Sequence, residues 1–317
     1  MLAWLNCSLG MVRLYRMGNM DRENKCLSIS LNSSGPWITA SALLLCLVSC
    51  AEVPVAVVEY PAKNLLEDDY IVGSEWRLIW SDEFEGEQLN AENWNRQVEE
   101  PGRFNGEWQR YTSSEENAYL ESGCLVLKAI HKSEKHGSDQ YTSARLNTAG
   151  KQIFKYGKIA ARIQLPYGEG IWPAFWMLGA NIDENGGDTP WPQSGEIDIL
   201  ELYGSKDDGA VEANIHYADA DDKHAMLRPP VYELEQGKFA DAFHVFELVW
   251  DEERIAWLVD GVEYASTPIN SEERSEFHEE FFILLNIAVG GRWSGRPDSS
   301  TPFPQYMYVD WVRVYQK

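Results

Sequence analysis

GKIAARIQLP, residues 157–166, decides the fold class. Two sets of side chains alternate along it: the apolar set is Ile159, Ala161, Ile163 and Leu165, and the more polar set is Lys158, Ala160, Arg162 and Gln164. A period of two is that of a β-strand with one face toward a core and one face toward water. The stretch therefore predicts a strand that covers a hydrophobic core.

The same pattern recurs toward the C-terminus. In RIAWLVDGVEYAS (254–266) two strand-like runs flank Asp260-Gly261, which is the turn chemistry of a tight hairpin. YMYVDWVRVYQK (306–317) alternates again, and only SEERSEFHEE (271–280) predicts a short helix, capped by Asn270 or Ser271. Many short strands with almost no helix predict an all-β antiparallel sandwich, formed by one domain at 76–317.

Composition limits the partners of the chain. The formal net charge is −23, which argues against nucleic acid, an anionic membrane surface and a sulfated polyanion, because these need a basic footprint. The chain also carries 13 Trp, 15 Tyr and 11 Phe, enough aromatic side chains for both a core and a binding face. We expect a globular protein that is a monomer.

The N-terminus carries a processing signal. ITASALLLCLVS (38–49) is apolar and uncharged, too short to span a bilayer but the length of the apolar region of a signal peptide. The stretch 47–50, LVSC, resembles a bacterial lipobox; an ordinary cleaved signal or a short anchor is the alternative. We expect a signal peptide at 1–49, with translation starting at Met17 or Met20, and a lipidated Cys50 and tether at 50–75. The protein would then be secreted and lipid-anchored at the bacterial cell envelope, at the outer membrane or cell surface, with Cys124 the one remaining cysteine and buried.

Three carboxylates in six positions form the sharpest feature, in SGEIDILE (194–201). In a regular strand Glu196 and Asp198 share a face, whereas Glu201 points the other way. A β-bulge at Ile199-Leu200 would insert one extra residue and turn Glu201 to the face of the other two, and bulges are frequent beside active sites. The alternative is a solvated acidic edge.

The segment just upstream, GIWPAFWMLG (170–179), is a second strand rich in Trp. Sugars are bound by aromatic faces together with carboxylates and amides, although a Trp stripe alone is more often part of a core. The two strands together favour a carbohydrate site.

These residues resemble glycoside hydrolase family 16, in its laminarinase-like (endo-1,3-β-glucanase) branch. The family's Glu-x-Asp-x-x-Glu strand matches Glu196, Asp198 and Glu201. Further matches are WSDEF (80–84), NGEWQRYT (105–112), YTSARL (141–146) and LNIAVGG (285–291). The sequence departs from the family at Trp108 and Arg110, where Leu and Tyr are more usual, and in the acidic loop 219–222.

The resemblance implies a β-jelly roll, concanavalin A-like, with an open cleft on the concave face. It also implies that Glu196 is the nucleophile, Glu201 the acid/base, and Asp198 a hydrogen-bonding partner of the nucleophile. A retaining site needs two carboxyls about 5–5.5 Å apart, one ionised and one protonated. The negative charges of Glu196 and Asp198 are expected to raise the pKa of Glu201 and keep it protonated.

The resemblance assigns further residues by position. Trp172 and Trp176 resemble subsite aromatics, and Asn105, Trp108 and Arg145 resemble contacts of the glycone side. His216 is similar to a cleft histidine near the acid/base; a purely structural histidine is the alternative. Glu83, the backbone of Gly123, and Asp310 look like the family's structural Ca²⁺ site on the convex face, and no cofactor is expected for catalysis.

The function that follows is hydrolysis of internal β-1,3 bonds, with retention, in laminarin or in mixed-linkage β-1,3/1,4-glucan. One alternative is an agarase- or porphyranase-type hydrolase of the same fold. The other is a non-catalytic glucan-binding surface protein. The expected partner is a β-glucan polysaccharide, with no nucleic acid, and with a membrane met only through the N-terminal lipid.

Overall fold

The computed structural model describes residues 70–132, 140–205 and 207–317. The predicted signal peptide (1–49), Cys50 and the tether as far as residue 69 lie outside the described residues. Within the described ranges, no helix has the length and apolar character needed to cross a membrane. The processing and anchoring of the N-terminus therefore stay predictions, as does the boundary of the domain at residue 76.

The described residues form eighteen β-strands and two short 3₁₀ helices, Asp183–Asn185 and Glu272–His278. The first nine strands are β1 (Arg77–Asp82), β2 (Asn95–Arg96), β3 (Gln109–Tyr111), β4 (Ala118–Glu121), β5 (Cys124–Lys132), β6 (Gln140–Ser143), β7 (Arg145–Asn147), β8 (Gly157–Gln164) and β9 (Ile171–Gly179). The other nine are β10 (Glu196–Glu201), β11 (Ala210–Ala218), β12 (His224–Leu227), β13 (Tyr232–Glu233), β14 (His244–Trp250), β15 (Arg254–Val259), β16 (Val262–Pro268), β17 (Phe281–Val289) and β18 (Gln305–Gln316).

These strands make two sheets. The ten-stranded sheet has the order β16-β15-β14-β8-β18-β5-β6-β3, with β1 beside β18 and β4 beside β5. The eight-stranded sheet has the order β12-β11-β10-β9-β17-β7-β2, with β13 beside β11. The pairings are antiparallel apart from β3 with β6, which is parallel. The predicted all-β antiparallel sandwich is confirmed.

The strand at 157–164 shows how the core is built. Its apolar set lies in the core, where Ile159, Ala161 and Ile163 are fully buried. The opposite face is drier than the sequence predicts, because Ala160 is also fully buried and Lys158 is largely covered. This is a correction, and its cause is the position of β8 in the middle of the ten-stranded sheet, between β14 and β18.

The predicted hairpin is present, and the predicted helix takes a different form. Asp260 and Gly261 both have positive φ (50° and 76°) and join β15 to β16. The segment expected to be helical is a 3₁₀ helix interrupted by Arg274, with Ser271 at its start but no side-chain capping hydrogen bond. The single buried side chain of this helix, Phe277, holds it to the core.

Candidate active site

Strand β10 lies inside the eight-stranded sheet, between β9 and β11. Asp198 pairs with Asn214 on β11 and Glu201 pairs with Glu212, so three steps along β10 span two steps along its neighbour. The register also shifts against β9 between Asp198 and Leu200. The predicted bulge at Ile199-Leu200 is confirmed, and its consequence is that Glu196, Asp198 and Glu201 line the same cleft.

This cleft has a volume of about 600 Å³ and is lined largely by strands of the eight-stranded sheet and the loops beside them. Its aromatic lining includes Phe104, Trp172, Trp176, Trp191 and Trp293. Aromatic rings beside a few convergent carboxylates suit a sugar polymer, since they offer flat apolar faces and hydrogen-bond partners together.

Glu201 is more buried than Glu196, with 7% of its surface exposed. The indole N–H of Trp172 donates to its Oε1 (2.9 Å), and Asn214 Nδ2 donates to its Oε2 (2.7 Å). Burial, followed by the charge of Asp198, raises the pKa of Glu201 to about 8. The pKa of Glu201 is raised, as the sequence predicts, but burial is a larger cause than the charge of Asp198. Glu201 is therefore protonated at neutral pH.

Glu196 has a different environment. The indole N–H of Trp191 donates to its Oε2 (2.8 Å), and Nε2 of His216 lies 3.7 Å from its Oε1. Burial raises the pKa of Glu196 above its ordinary value, and the neighbouring His216 offsets only part of this rise. The indole of Trp191 and the imidazole of His216 both stabilise the ionised form of Glu196.

Asp198 is buried beside Glu196, and the half-buried His216 lies next to both carboxylates. Nε2 of His216 lies 3.2 Å from Oδ2 of Asp198, which is 2% exposed. Burial and the charge of Glu196 raise the pKa of Asp198 to about 7. Burial lowers the pKa of His216, but its hydrogen bond with Asp198 and the nearby carboxylates outweigh this and raise the pKa to about 9. His216 pairs across the strands with Glu196 and its charge also acts on Glu201, so its predicted role near the acid/base stays a prediction.

The predicted contacts of the glycone side are largely gathered in the cleft. Trp176 donates from its indole N–H to Asn286 Oδ1 (2.7 Å), and the guanidinium of Arg145 lies 4.7 Å from the Trp176 ring centroid. Asn105 Nδ2 donates to Glu107 Oε1 (3.3 Å). All of these residues line the cleft, and their contact with a sugar stays a prediction.

Trp108 is an exception among the predicted binding residues. It does not belong to the lining of the cleft; its ring packs 6.0 Å from Tyr141, with the Arg296 guanidinium 5.3 Å from its centroid. The neighbouring Glu107 does line the cleft. Successive residues of an extended chain point to opposite sides, so Glu107 faces the cleft and Trp108 does not.

Several residues of the site were missed from the sequence. Asn214 is the one that the sequence could have identified. It lies two positions before His216 on β11 and therefore shares its face. Tyr203, which hydrogen-bonds Glu201, lies two residues beyond the end of β10. Trp191 and His224 reach the site from a loop and from the next strand, and no local pattern marks them.

Of the proposed calcium ligands, Glu83 directly follows β1, Gly123 directly precedes β5, and Asp310 lies in the middle of β18, the strand that pairs with both. Asp82, which precedes Glu83, pairs with Val312, and Val309 beside Asp310 pairs with Leu125 near Gly123. Oxygen donors suit calcium. However, both carboxylate oxygens of Glu83 accept hydrogen bonds from Arg313 (2.9 and 2.8 Å), and Asp310 Oδ2 accepts one from Arg162 (2.7 Å). A calcium ion would have to displace Arg313 from Glu83, and the site stays a prediction.

Among the described residues, one group of acidic and histidine side chains brings three potential donor atoms within 4.8 Å of one another: Glu196, Asp198 and His216. His216 already contacts both carboxylates, at 3.2 Å from Asp198 and 3.7 Å from Glu196. These contacts account for the cluster, and we do not identify its members as metal ligands.

A sandwich of two sheets, with two glutamates in unequal environments on one bulged strand of an aromatic cleft, defines a glycoside hydrolase. Comparison with known proteins agrees with this class. The chain matches the family model "Glycosyl hydrolases family 16" over residues 103–313. The chain belongs to this family.

The relatives and structural neighbours of the chain are consistent with this family. The chain is 36% identical over 256 residues to the beta-glucanase of Rhodothermus marinus, covering 76% of this chain and 85% of the relative. It is 34% identical over 262 residues to glucan endo-1,3-beta-glucosidase A1 of Niallia circulans, covering 76% of this chain but only 38% of that longer relative. The laminarinase catalytic domain of Thermotoga maritima MSB8 superposes with a TM-score of 0.66 at 41% identity, covering 77% of this chain and 99% of that one.

Proposed function

We propose that this protein is a retaining endo-β-glucanase that hydrolyses internal β-1,3 bonds of laminarin or of mixed-linkage β-1,3/1,4-glucan. The observation that carries the proposal is the unequal pair of glutamates on β10. Burial and the charge of Asp198 raise the pKa of Glu201 to about 8, while Glu196 accepts a hydrogen bond from Trp191 and lies beside His216. One carboxyl is thus prepared as an acid and the other as a nucleophile.

In the first step, the ionised carboxylate of Glu196 attacks the anomeric carbon. The bond from that carbon to the leaving oxygen breaks, and Glu201 gives its proton to the leaving oxygen. The product is a glycosyl ester on Glu196 and a shortened glucan with a free hydroxyl group. Glu201 is left as a carboxylate, still held by the indole of Trp172 and the amide of Asn214.

In the second step, water opens the ester. Esterification removes the charge of Glu196, and Glu201, now ionised, accepts a proton from the attacking water. The water oxygen bonds to the anomeric carbon, Glu196 leaves as a carboxylate, and Glu201 is protonated again. Two displacements at the same carbon retain its configuration. A sugar hydroxyl in place of water would give transglycosylation by the same route.

Asp198 and His216 support the charge changes on Glu196. The imidazolium of His216 faces both carboxylates (3.2 Å to Asp198 and 3.7 Å to Glu196), so its positive charge stabilises negative charge on either. When Glu196 loses its charge in the ester, Asp198 remains as the partner of His216. The pair therefore keeps the site close to neutral throughout the reaction.

The choice of β-glucan is supported by the relatives, whose names describe glucan endo-1,3-β-glucosidases, a laminarinase and a β-glucanase. An agarase or porphyranase of the same fold is less well supported by these names. A non-catalytic binding protein is opposed by the presence of Glu196, Asp198 and Glu201 together, each with hydrogen-bond partners or charged neighbours suited to its role.

The proposal is tested by incubating the protein with laminarin, lichenan, agarose and carrageenan and measuring reducing ends. We expect release from laminarin, lichenan or both, with a rapid fall in viscosity as internal bonds break. Proton NMR at early times should show the β-anomer at the new reducing end. Activity on agarose alone would favour the agarase alternative, and binding to laminarin without any release of reducing ends would favour the binding protein.

We further propose that the native protein is held at the cell envelope by a lipid on Cys50, on the strength of LVSC at 47–50. Replacing Cys50 by Ser should move the protein from the membrane fraction to the soluble fraction or leave it unprocessed. Intact-mass measurement decides the matter: a mature N-terminus at another residue, without an acyl group, would contradict the proposal.

A further inference from the structure

Two histidine rings lie edge to edge at the border of the cleft, with nearly parallel planes. Nδ1 of His216 lies 2.8 Å from Nε2 of His224, and the ring centroids are 5.1 Å apart with an interplanar angle of 17°. Two imidazole nitrogens at this distance share one proton, so one ring donates and the other accepts. Which ring donates determines what His224 does.

The other nitrogen of His216 settles the direction. Its Nε2 faces the carboxylates of Asp198 (3.2 Å) and Glu196 (3.7 Å), which only accept when ionised, so it carries a hydrogen. Despite burial, which lowers the pKa of His216, its carboxylate neighbours raise that pKa to about 9, so Nδ1 carries a hydrogen as well. His224 is an exposed residue, and the partial desolvation of its ring together with the charge of His216 lowers its pKa. His224 is therefore the neutral acceptor.

We propose that His224 is a positioning residue of the catalytic network. Its unprotonated Nε2 accepts the Nδ1–H of His216 and so holds the Nε2–H of His216 against the carboxylates of Asp198 and Glu196. The inference rests on the proposed function and extends it to His224 on β12, the strand that follows β10 and β11.

A second contact leads from His224 to the nucleophile. The His224 ring lies 4.5 Å from the ring of Trp191, and the indole N–H of Trp191 donates to Glu196 Oε2 (2.8 Å). Both groups that approach the Glu196 carboxylate, the imidazole of His216 and the indole of Trp191, thus pack against the same ring. Moving His224 would loosen both.

Three groups surround His224, and two of them carry charges. His216 on β11 faces it directly, with the carboxylates of Asp198 and Glu196 beyond. The loop before His224 holds its own charges: Asp219 accepts backbone amides of that loop, and Asp221 lies 3.2 Å from Lys223 Nζ. Trp191 is uncharged, so His216 is the charge that acts most directly on His224. Protonation of His224 at low pH would remove the acceptor and set two imidazoliums against each other.

Two substitutions separate this role from simple packing. His224→Gln keeps an acceptor oxygen near the position of Nε2 but does not titrate, whereas His224→Leu keeps comparable volume without an acceptor. We expect His224→Leu to lower kcat on laminarin about tenfold with KM nearly unchanged, as for loss of a hydrogen bond to a charged group. His224→Gln should retain most of kcat at pH 7 and should lose less activity than the wild type at acidic pH. His244→Leu, on the other sheet, is the control and should leave kcat unchanged.

A measurement that needs no substrate accompanies the kinetics. In protein labelled with ¹⁵N-histidine, NMR at pH 7 should show both ring nitrogens of His216 protonated and Nε2 of His224 unprotonated. His224→Leu should change the ¹⁵N shift of His216 Nδ1, and His224→Gln should largely restore it. A protonated Nε2 on His224 in the wild type would overturn the proposal.

The outcomes also separate this inference from the proposed function. If no β-glucan is cleaved by the wild type but the NMR pattern holds, the proposed function fails and the positioning contact stands. If the wild type cleaves laminarin while His224→Leu keeps full kcat, or if Gln and Leu lower kcat equally, the inference fails and the proposed function stands.

Discussion

At the residue scale, the two glutamates of β10 are distinguished by what touches them. Glu201 lies between the indole of Trp172 and the amide of Asn214, away from bulk water. Glu196 lies beside the indole of Trp191 and the imidazolium of His216. Because their neighbours differ, the variants that lack one or the other carboxylate should lose activity in distinguishable ways.

Azide should report the difference. Glu196→Ala and Glu201→Ala should each lower kcat/KM by about 10³-fold, because each carboxyl acts in the transition state. With a β-glycoside that has a good leaving group, azide in Glu196→Ala takes the vacated space and attacks the anomeric carbon, giving the α-glycosyl azide. In Glu201→Ala the ester on Glu196 still forms, and azide opens it to the β-glycosyl azide. NMR of the products identifies the anomer.

The opposite pattern of anomers would exchange the two roles. Full activity in either variant would remove that residue from the mechanism. Glu212→Gln, on the neighbouring strand and outside the proposed chemistry, is the matched control for loss of a buried carboxylate near the site.

The pH profile of kcat/KM should depend on Asp198. Glu201 must be protonated to act as the acid, so activity falls as pH rises through its pKa of about 8. The charge of Asp198 is one cause of that raised pKa, second to burial. Asp198→Asn removes the charge, so the basic limb of the profile should move to lower pH, while burial keeps it above the ordinary range of a glutamate.

Asp221→Asn, an exposed substitution of the same charge in the loop before β12, should leave the basic limb in place. A basic limb that stays unchanged in Asp198→Asn would mean that a group other than Glu201 sets it, or that burial alone does.

At the scale of the element, the position of β10 depends on the glycine before it. Gly195 has a φ of +79°, a region that side chains with a Cβ rarely adopt. A Cβ there would lie 2.9 Å from Cζ of Phe281 and 3.0 Å from Cβ of Glu276. Gly261, in the hairpin, has a similar φ of +76° but nothing within 4 Å of its Cβ position. Alanine substitutions at Gly195 and at Gly261 therefore separate the effect of backbone strain from the effect of crowding.

Gly195→Ala should therefore be the more damaging of the two substitutions. For Gly261→Ala we expect a loss of about 1–2 kcal/mol in the free energy of unfolding, from the left-handed backbone alone. Gly195→Ala should lose about 1–3 kcal/mol more through overpacking. It should also lower kcat, because Glu196 is the next residue. Urea unfolding and laminarin assays measure both effects, and equal losses of stability would show that the contacts of Gly195 do not matter.

At the scale of the whole molecule, the ten-stranded sheet is held by charged groups far from the cleft. Glu247 is 1% exposed, accepts hydrogen bonds from Tyr70 (2.7 Å) and from the amide of Gly261 (3.0 Å), and lies 3.2 Å from Lys158. The arginine contacts of Glu83 and Asp310 lie on the same sheet. None of these charged residues lines the cleft.

The calcium proposal belongs to this scale. If Glu83, Gly123 and Asp310 hold calcium, added Ca²⁺ should raise the melting temperature, because a ligand that binds only the folded state stabilises it, by about 2.7 kcal/mol at a hundred times its Kd. Cold activity should be unchanged by a chelator, since no calcium ligand lies in the cleft. Asp310→Asn should lose the response to calcium, and the exposed Glu252→Gln should keep it. The same melting temperature with chelator and with calcium would contradict the proposal.

The sequence by itself determined the features whose cause is local. Alternation of side chains gives strands, and two residues with positive φ give the hairpin at Asp260-Gly261. The spacing of Glu196, Asp198 and Glu201 requires a bulge if all three are to share a face, and the bulge is present. Each of these follows from backbone geometry within a few residues, which is why the pattern of the chain was sufficient.

Only the tertiary structure decided what surrounds the carboxylates. Trp172 and Asn214, which hold Glu201, come from 29 residues before it and 13 residues after it, and they meet because β9 and β11 flank β10. The hydrogen bond between His224 and His216 depends on the return of β12 beside β11. Burial, which is the largest cause of the raised pKa of Glu201, is a property of the assembled sheets. These contacts depend on strand order and loop placement, which no local pattern in the chain encodes.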